Sequence, residues 1–372
     1  MSGDLLPDRS PEALQPPRTR LSSLVGPFLG LLLIIFLGGV VEVLKEHTLR
    51  YWALPNQCLI LTQTVTVAMG AIGMTMIIIS AGIDLSVGSV IALTAVVAAW
   101  VTHRYGGVGA GQLAGMSALY LPLLALAAAV VVGGAAGAIN GGLITRLRLA
   151  PFIITLGMMS FARGTAKQIA LEQKIDAPMS WIQDFAAGNL KLFTMGFQRV
   201  YTLPLLGPVE VDWKGDAALS TAVLVTLLLA AGASLVLART RFGRHVFAIG
   251  SNEATARLCG VRVEHTKVLI YAIAGAMFGL AGMTELGRTS VGDPTAAMGK
   301  ELDIIAAVVI GGGSLAGGSG TVLGSLIGAL LMAHLRNLCI LLGLPQFVQE
   351  QVVGAVIVIA VAVDSYRQRK RK

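Results

Sequence analysis

The sequence predicts an all-α polytopic membrane protein with about ten transmembrane helices, some short or broken at Gly/Ser-rich segments. Three observations carry this. Of 372 residues, 55% are hydrophobic and 13% charged, with a mean hydropathy of +0.76, too little charge to cover a water-soluble surface. Apolar runs of roughly 20 residues recur, the length that crosses about 30 Å of hydrocarbon. The 45 glycines suit helices that approach closely inside a bilayer.

Residues 1–20 are rich in Pro, Asp, Arg and Ser and cannot build a core, which predicts a disordered tail. Arg18 and Arg20 precede the apolar run Leu21–Leu44, an uncleaved first span with its N-terminus inside; it is too long for a signal-peptide core. The second span runs from about Leu59 to Ser80 and the third from Val90 to about Thr102, separated by the polar break Ala81–Ser89. A fourth, Leu119–Thr145, ends against Arg146 and Arg148, and Pro151 opens a short fifth. Residues 168–216 read as an outside loop, with Trp181, Tyr201 and Trp213 suited to the aromatic belt at a membrane interface. The sixth span is Ala217–Ala238 and the seventh Val268–Leu286. The eighth, Ile304 to about Gly313, enters the Gly/Ser break Gly311–Gly320. Thr321–Leu341 and Val348–Val363 complete ten. A membrane domain over 21–366 thus lies between the tail and a basic end, 367–372.

The net charge of +8 does not imply nucleic acid, because the basic residues follow the positive-inside rule. Ten spans put both termini, the Arg146/Arg148 turn and residues 239–267 inside; the opposite loop 168–216 holds four Lys/Arg against six Asp/Glu. Cys58, Cys259 and Cys339 follow no metal or redox spacing; a bridge between Cys58 and Cys339 near the outer face is conceivable. His47, His103, His245, His265 and His334 are scattered, so no metal site is expected.

Two motifs are decoys. Gly311–Ala316 fits a dinucleotide fingerprint, but no acid lies between Asp303 and Glu350 and its flanks are spans. Gly292–Lys300 ends in Gly-Lys with the wrong spacing for a phosphate-binding loop, and Glu301 stands where Ser or Thr belongs. The chain therefore carries no nucleotide site, and any energy source is a partner or an ion gradient. The pairs Gly133/Gly137/Gly141, Gly275/Gly279 and Gly324/Gly328 read as close helix packing. Ile77–Ala99 and Val308–Met332 echo one another, each an apolar run, a Gly/Ser break and a second apolar run, as in transporters built from repeated halves.

Ionisable groups inside spans cost roughly 2.5–3.5 kcal/mol each when unpaired, so they point to path or structure. Asp84, with Ser86 beside it, has two readings: it orders a gate, or it caps the third helix. Asn140 and Thr155 are hydrogen-bonding or path-lining groups; Arg163 and Glu285 line an outer vestibule or snorkel to the interface. Spans one, two, six and nine contain almost none of the intramembrane acids or histidines that an ion-coupled carrier uses, and no cluster of the kind a membrane enzyme uses is visible.

The polar island Phe242–Ile273 carries Arg244, His245, Asn252, Glu253, Arg257, Arg262, Glu264, His265 and Lys267. Its punctuation predicts a short helix Asn252–Cys259, N-capped by Ser251, with Glu253 in its first turn and Gly260 supplying a left-handed end. This is a docking surface or a linker.

Four blocks resemble the membrane permeases of monosaccharide ABC importers of the ribose/xylose/galactose type. They are IIISAGIDLSVGSVIAL (77–93), GRHVFAIGSNEATARLCGV (243–261) with YAIAGAMFGLAGM (271–283), IAAVVIGGGSLAGGSGTVLGSLIGALL (305–331) and LAPFIITLGMMSFARG (149–164). The resemblance implies a bacterial inner-membrane permease that works as a homodimer or beside a sister permease. It implies a cytoplasmic ATPase that holds ATP and Mg, with no cofactor on this chain, and an extracytoplasmic solute-binding protein that delivers sugar. The matching cytoplasmic-loop pattern, where the ATPase is expected to couple, falls on Ala248, Ile249, Gly250, Asn252, Glu253, Ala256 and Gly260. The coupling candidates are Gly250, Ser251, Asn252, Glu253, Ala256, Arg257 and Gly260. Asp84, Ser86, Asn140, Thr155, Arg163 and Glu285 remain the candidate gate or translocation path. Relatives of this type carry pentoses, hexoses, inositol or autoinducer-2, so the solute stays open. The alternatives are an ion-coupled secondary carrier, a permease for autoinducer-2 or a nucleoside, and a polytopic enzyme or scaffold.

Overall fold

The computed structural model describes residues 22–105, 114–177, 190–203 and 207–369. The expected disordered tail 1–20, Trp181 and Lys370–Lys372 lie outside the described residues. Twelve helices occur among those described. They are α1 (Ser22–Glu46), α2 (Leu54–Ile79), α3 (Val87–Tyr105), α4 (Ala114–Leu147), α5 (Pro151–Ile169), α6 (Thr221–Arg239), α7 (Arg241–Ser251), α8 (Glu253–Leu258), α9 (Val263–Thr289), α10 (Lys300–Ile310), α11 (Val322–Leu341) and α12 (Gln346–Arg369).

The helix starts follow local chemistry. Pro55 and Pro151 sit in the first turns of α2 and α5, where a missing N–H costs nothing because it has no intrahelical partner. Ser220 caps α6 by accepting from the Ala222 amide at 3.1 Å. Among the described residues seven helices are long and apolar enough to cross a membrane: α1, α2, α3, α4, α6, α9 and α11. The helices α5, α10 and α12 are not among them. Only 11 residues long, α10 rises about 16 Å, and the 311–320 break that follows it reaches the end of α2, where Gly318 donates to the Ile79 carbonyl.

The buried axis is α2, with 83% of its apolar window enclosed against 22% for α1. It is walled by α9, α10 and α11. The expected small-residue packing is present where α4 crosses α9. A Cβ on Gly137 would lie 2.0 Å from the Tyr271 carbonyl, and one on Gly275 would lie 2.1 Å from the Gly133 carbonyl. The helices therefore meet backbone to backbone. Apolar side chains such as Leu33, Phe36, Leu228 and Val358 stay exposed around the outside, as a hydrocarbon-facing surface requires.

The 168–216 loop is more ordered than the sequence suggested. Strands β2 (Leu190–Leu203) and β3 (Gly207–Leu219) form an antiparallel hairpin in register Leu190↔Leu219 to Leu203↔Gly207. Its run of Phe, Val, Tyr and Thr suits strands. The hairpin takes Ala217–Leu219 from the expected sixth span, which starts instead at Thr221. It is stitched to the α1–α2 turn: Leu49 N–H donates to the Glu210 carbonyl at 2.9 Å, and the Trp213 indole donates to Leu49 at 2.8 Å. A smaller ladder joins β1 (Ile175–Asp176) to β4 (Val291–Gly292). Cys58 and Cys339 are free thiols rather than a bridge. The molecule thus has a hairpin end and an island end, and the island end carries both chain-terminal helix ends.

Candidate functional site

The island folds as two helices rather than one. Thr240 caps α7, accepting from the Gly243 amide at 3.2 Å. Because α7 stays helical through Ser251, Ser251 does not cap α8. The cap is Asn252, whose extended backbone (φ −161°, ψ 105°) brings its Oδ1 within 3.0 Å of the Thr255 amide. The expected helix Asn252–Cys259 is accordingly Glu253–Leu258. Glu253 does lie in the first turn. At the far end Gly260 is left-handed (φ +83°). Its N–H donates to the Arg257 carbonyl at 3.0 Å and the Val261 N–H to Ala256 at 3.1 Å, the paired bonds of a Schellman end.

Only Ala256 of α8 is buried; it joins Ile249 and Val263 in a small apolar cluster with Ala248 and Val261. The rest of α8 faces outward. Arg257 pairs with Glu253 at 3.7 Å and also with Glu264, and Lys267 reaches Glu253 at 2.7 Å. Leu258 is 89% exposed. Sequence reasoning passed over this leucine; its signal is an apolar residue in a six-residue helix whose inward position belongs to Ala256. A groove of about 520 Å³ adjoins α8, lined in part by Ser80, Arg148, Asn252, Glu253, Arg257 and Lys267.

Gly250 decides how this platform meets the bundle. A Cβ there would lie 1.6 Å from the Ile79 carbonyl and 2.7 Å from the Gly318 amide nitrogen. No side chain fits, so the last turn of α7 lies directly on the end of α2 and on the 311–320 break.

The residues considered for a gate divide into two groups. Asp84, Ser86, Asn140 and Thr155 come together, buried at 1% exposure or less, where the 80–86 break meets α4 and α5. Asp84 Oδ1 accepts from the Ser86 amide at 2.8 Å and its hydroxyl at 2.6 Å. The Asn140 amide donates to Ser86 Oγ at 3.1 Å and to Asp84 Oδ2 at 3.4 Å. The Leu85 amide donates to Thr155 Oγ1 at 3.1 Å. The first α3 bond runs from Val90 to the Ser86 carbonyl, so Ser86 starts the helix and Asp84 closes a turn before it rather than capping it. Two buried atoms here, Asn140 Oδ1 and Tyr271 Oη, have no hydrogen-bond partner. The four side chains bind the break to its neighbours.

Arg163 and Glu285 lie toward the hairpin end and do not meet each other. Arg163 donates to the Pro294 and Ala296 carbonyls, each at 2.9 Å. Glu285, 5% exposed, holds Arg288 at 2.6 Å, Thr66 at 3.0 Å and Lys300 at 3.4 Å. These are ties between neighbouring elements. Sequence reasoning missed a third: Arg336 Nη2 reaches both oxygens of Asp303, at 2.8 and 2.7 Å. An acid and an arginine inside neighbouring spans were the available signal. It also missed Glu42, buried at 4%, which accepts from the Arg50 and Tyr51 amides at 2.9 and 2.7 Å. Among the described residues no cluster of His, Cys, Asp and Glu could hold a metal ion.

Comparison with known proteins fits this geometry. The family described as branched-chain amino acid transport system / permease component matches residues 58–361. The ribose import permease protein of Escherichia coli (strain K12) is 36% identical over 339 residues, covering 91% of this chain and 93% of the relative. The fructose import permease protein of Rhizobium meliloti is 33% identical over 319 residues, covering 85% and 79%. The xylose transport system permease protein of Escherichia coli (strain K12) is 33% identical over 382 residues, covering 92% and 94%. No solved structure matches the chain.

Proposed function

The chain belongs to the transport-permease family that matches residues 58–361, and from that premise we propose that it is the membrane subunit of an ATP-binding-cassette importer for a monosaccharide. Its relatives are named for the import or transport of ribose, fructose and xylose. It is a transport protein rather than an enzyme, a multi-pass protein of the inner membrane. The observation that carries the mechanism is the exposed α7–α8 platform, whose Gly250 rests on both helix breaks.

In this reading a cytoplasmic ATPase, holding ATP and Mg, docks on Asn252, Glu253, Arg257 and Leu258. Gly250, Ser251, Ala256 and Gly260 keep the platform in place. ATP binding favours one arrangement of the bundle, because a ligand shifts an equilibrium only through contacts that differ between two states. The island and both termini face the cytoplasm. Arg146, Arg148, Arg239, Arg241 and Arg244 cluster at that end, as the positive-inside rule favours. A solute-binding protein delivers sugar at the hairpin end, and a second permease copy or a sister chain completes the pathway.

The test is reconstitution in vesicles with the ATPase and the binding protein. Sugar uptake should require all components and ATP, and the paired change Glu253→Lys with Gly250→Leu should abolish both uptake and ATPase stimulation. Uptake by this chain alone under an ion gradient would overturn the reading. Calorimetry on the binding protein identifies the sugar.

A further inference from the structure

The 311–320 break, a false dinucleotide fingerprint in the sequence, lies directly under the α7–α8 platform. Resting on the reading in which a partner ATPase drives the chain, we propose that Gly250, the Ile79 carbonyl and Gly317–Gly318 form a rigid joint. This joint carries one push from the α7–α8 platform to both helix breaks at once.

Three backbones meet there with no side chain between them. The Gly318 N–H donates to the Ile79 carbonyl at 2.8 Å. The same carbonyl is the atom that a Cβ on Gly250 would strike. Gly317 is left-handed (φ +87°), and a Cβ on it would lie 2.6 Å from the Gly250 carbonyl and 2.7 Å from Ala81 Cβ. Packed side chains can slide by changing rotamer, whereas backbone-to-backbone contact has no such slack. The joint also continues inward. The Thr75 and Ser325 hydroxyls bond at 2.7 Å, and a Cβ on Gly324 would lie 2.0 Å from the Gly311 carbonyl. The two echoing segments, Ile77–Ala99 and Val308–Met332, are therefore clamped at their breaks. They move together when the platform moves.

The geometry supplies its own test. A Cβ on Gly318 would lie 3.5 Å from Ser251 Cβ, within the span of a disulfide. The pair Ser251→Cys and Gly318→Cys is placed in a chain whose Cys58, Cys259 and Cys339 are changed to Ser, and assembled with ATPase and binding protein. Oxidation should form the bond and leave sugar uptake and ATP hydrolyzed per sugar unchanged from the reduced protein. Uptake lost on oxidation and restored by reductant would mean the segments part during the cycle, overturning the joint. So would failure of an active reduced pair to oxidise. If the reduced pair is inactive, Gly250→Ala decides. The variant should still co-purify with the ATPase, but ATP consumed per sugar should rise about tenfold, the loss expected when coupling between sites weakens. Unchanged stoichiometry would overturn the proposal. The unaltered chain is the control for the parent reading: its failure to transport with ATPase and binding protein would refute that reading, whatever the disulfide does.

Discussion

The two ends of the bundle are held by different physics. At the hairpin end, buried or half-buried charges do the fastening: Glu285 with Arg288 and Lys300, Asp303 with Arg336, and Glu42 on backbone amides. At the island end, fastening is by absent side chains, with Gly250 and Gly317 allowing backbones to touch, while the ion pairs of α8 lie exposed. An ion pair buried in a membrane protein is expensive to break and so suits a fixed frame. A glycine contact transmits displacement without storing charge, as the proposed ATPase coupling at this end requires.

Breaking the charged frame should have the largest effect. Arg336→Met strands Asp303, whose side chain is 5% exposed, and should cost about 3 kcal/mol, read as a lowered thermal midpoint in detergent. Adding Asp303→Leu should recover most of it. Next comes the small-residue crossing: Gly137→Val drives a side chain into the Tyr271 carbonyl, with an overpacking cost of about 2 kcal/mol in the same assay. At the island, Asn252→Ala removes the observed cap and should cost about 1 kcal/mol, seen as faster amide exchange across residues 253–258. Ser251→Ala should leave that exchange unchanged. A large effect at Ser251 instead would restore the cap that the sequence suggested.

The smallest effect belongs to a half-buried carboxylate at the hairpin end, Asp293, paired with the exposed Lys174. Burial pushes the Asp293 carboxyl up, but bonds from the Thr295 hydroxyl and amide and the Lys174 ammonium outweigh it and hold the group below its usual range. A carboxyl depressed on folding stabilises above its unfolded pKa and loses that contribution as pH falls through the folded value. Stability from Asp293 should therefore be flat from about pH 5 to 8 and decline only below about pH 4. Lys174 is 69% exposed, so Asp293→Asn should cost about 0.5 kcal/mol at pH 7. A steeper acid loss than this would show the hairpin end to be more charge-dependent than its geometry indicates.

Much of this was legible in the chain itself. Apolar run length located the seven long membrane-crossing helices, because hydrocarbon thickness leaves a helix little choice of length. The positive φ of Gly260 and the acid in the first turn of α8 were equally readable, since both answer to rules that act within a few residues. The cap was not: Ser251 and Asn252 are both capping residues side by side. Only the packing of α7, which remains helical through Ser251, passed the role to Asn252. The hairpin was hidden because its last residues are as apolar as the span that follows them.

The sequence by itself determined a helical membrane bundle, its basic end, and a polar island with a short capped helix. Tertiary structure alone decided that Asp84, Ser86, Asn140 and Thr155 are one buried tie, that Arg163 and Glu285 are separate ties, and that Gly250 touches Ile79 and Gly317. The reason is range. Hydropathy, caps and turns depend on neighbours along the chain, whereas which carbonyl a missing Cβ exposes depends on residues as far apart as 79, 250 and 317.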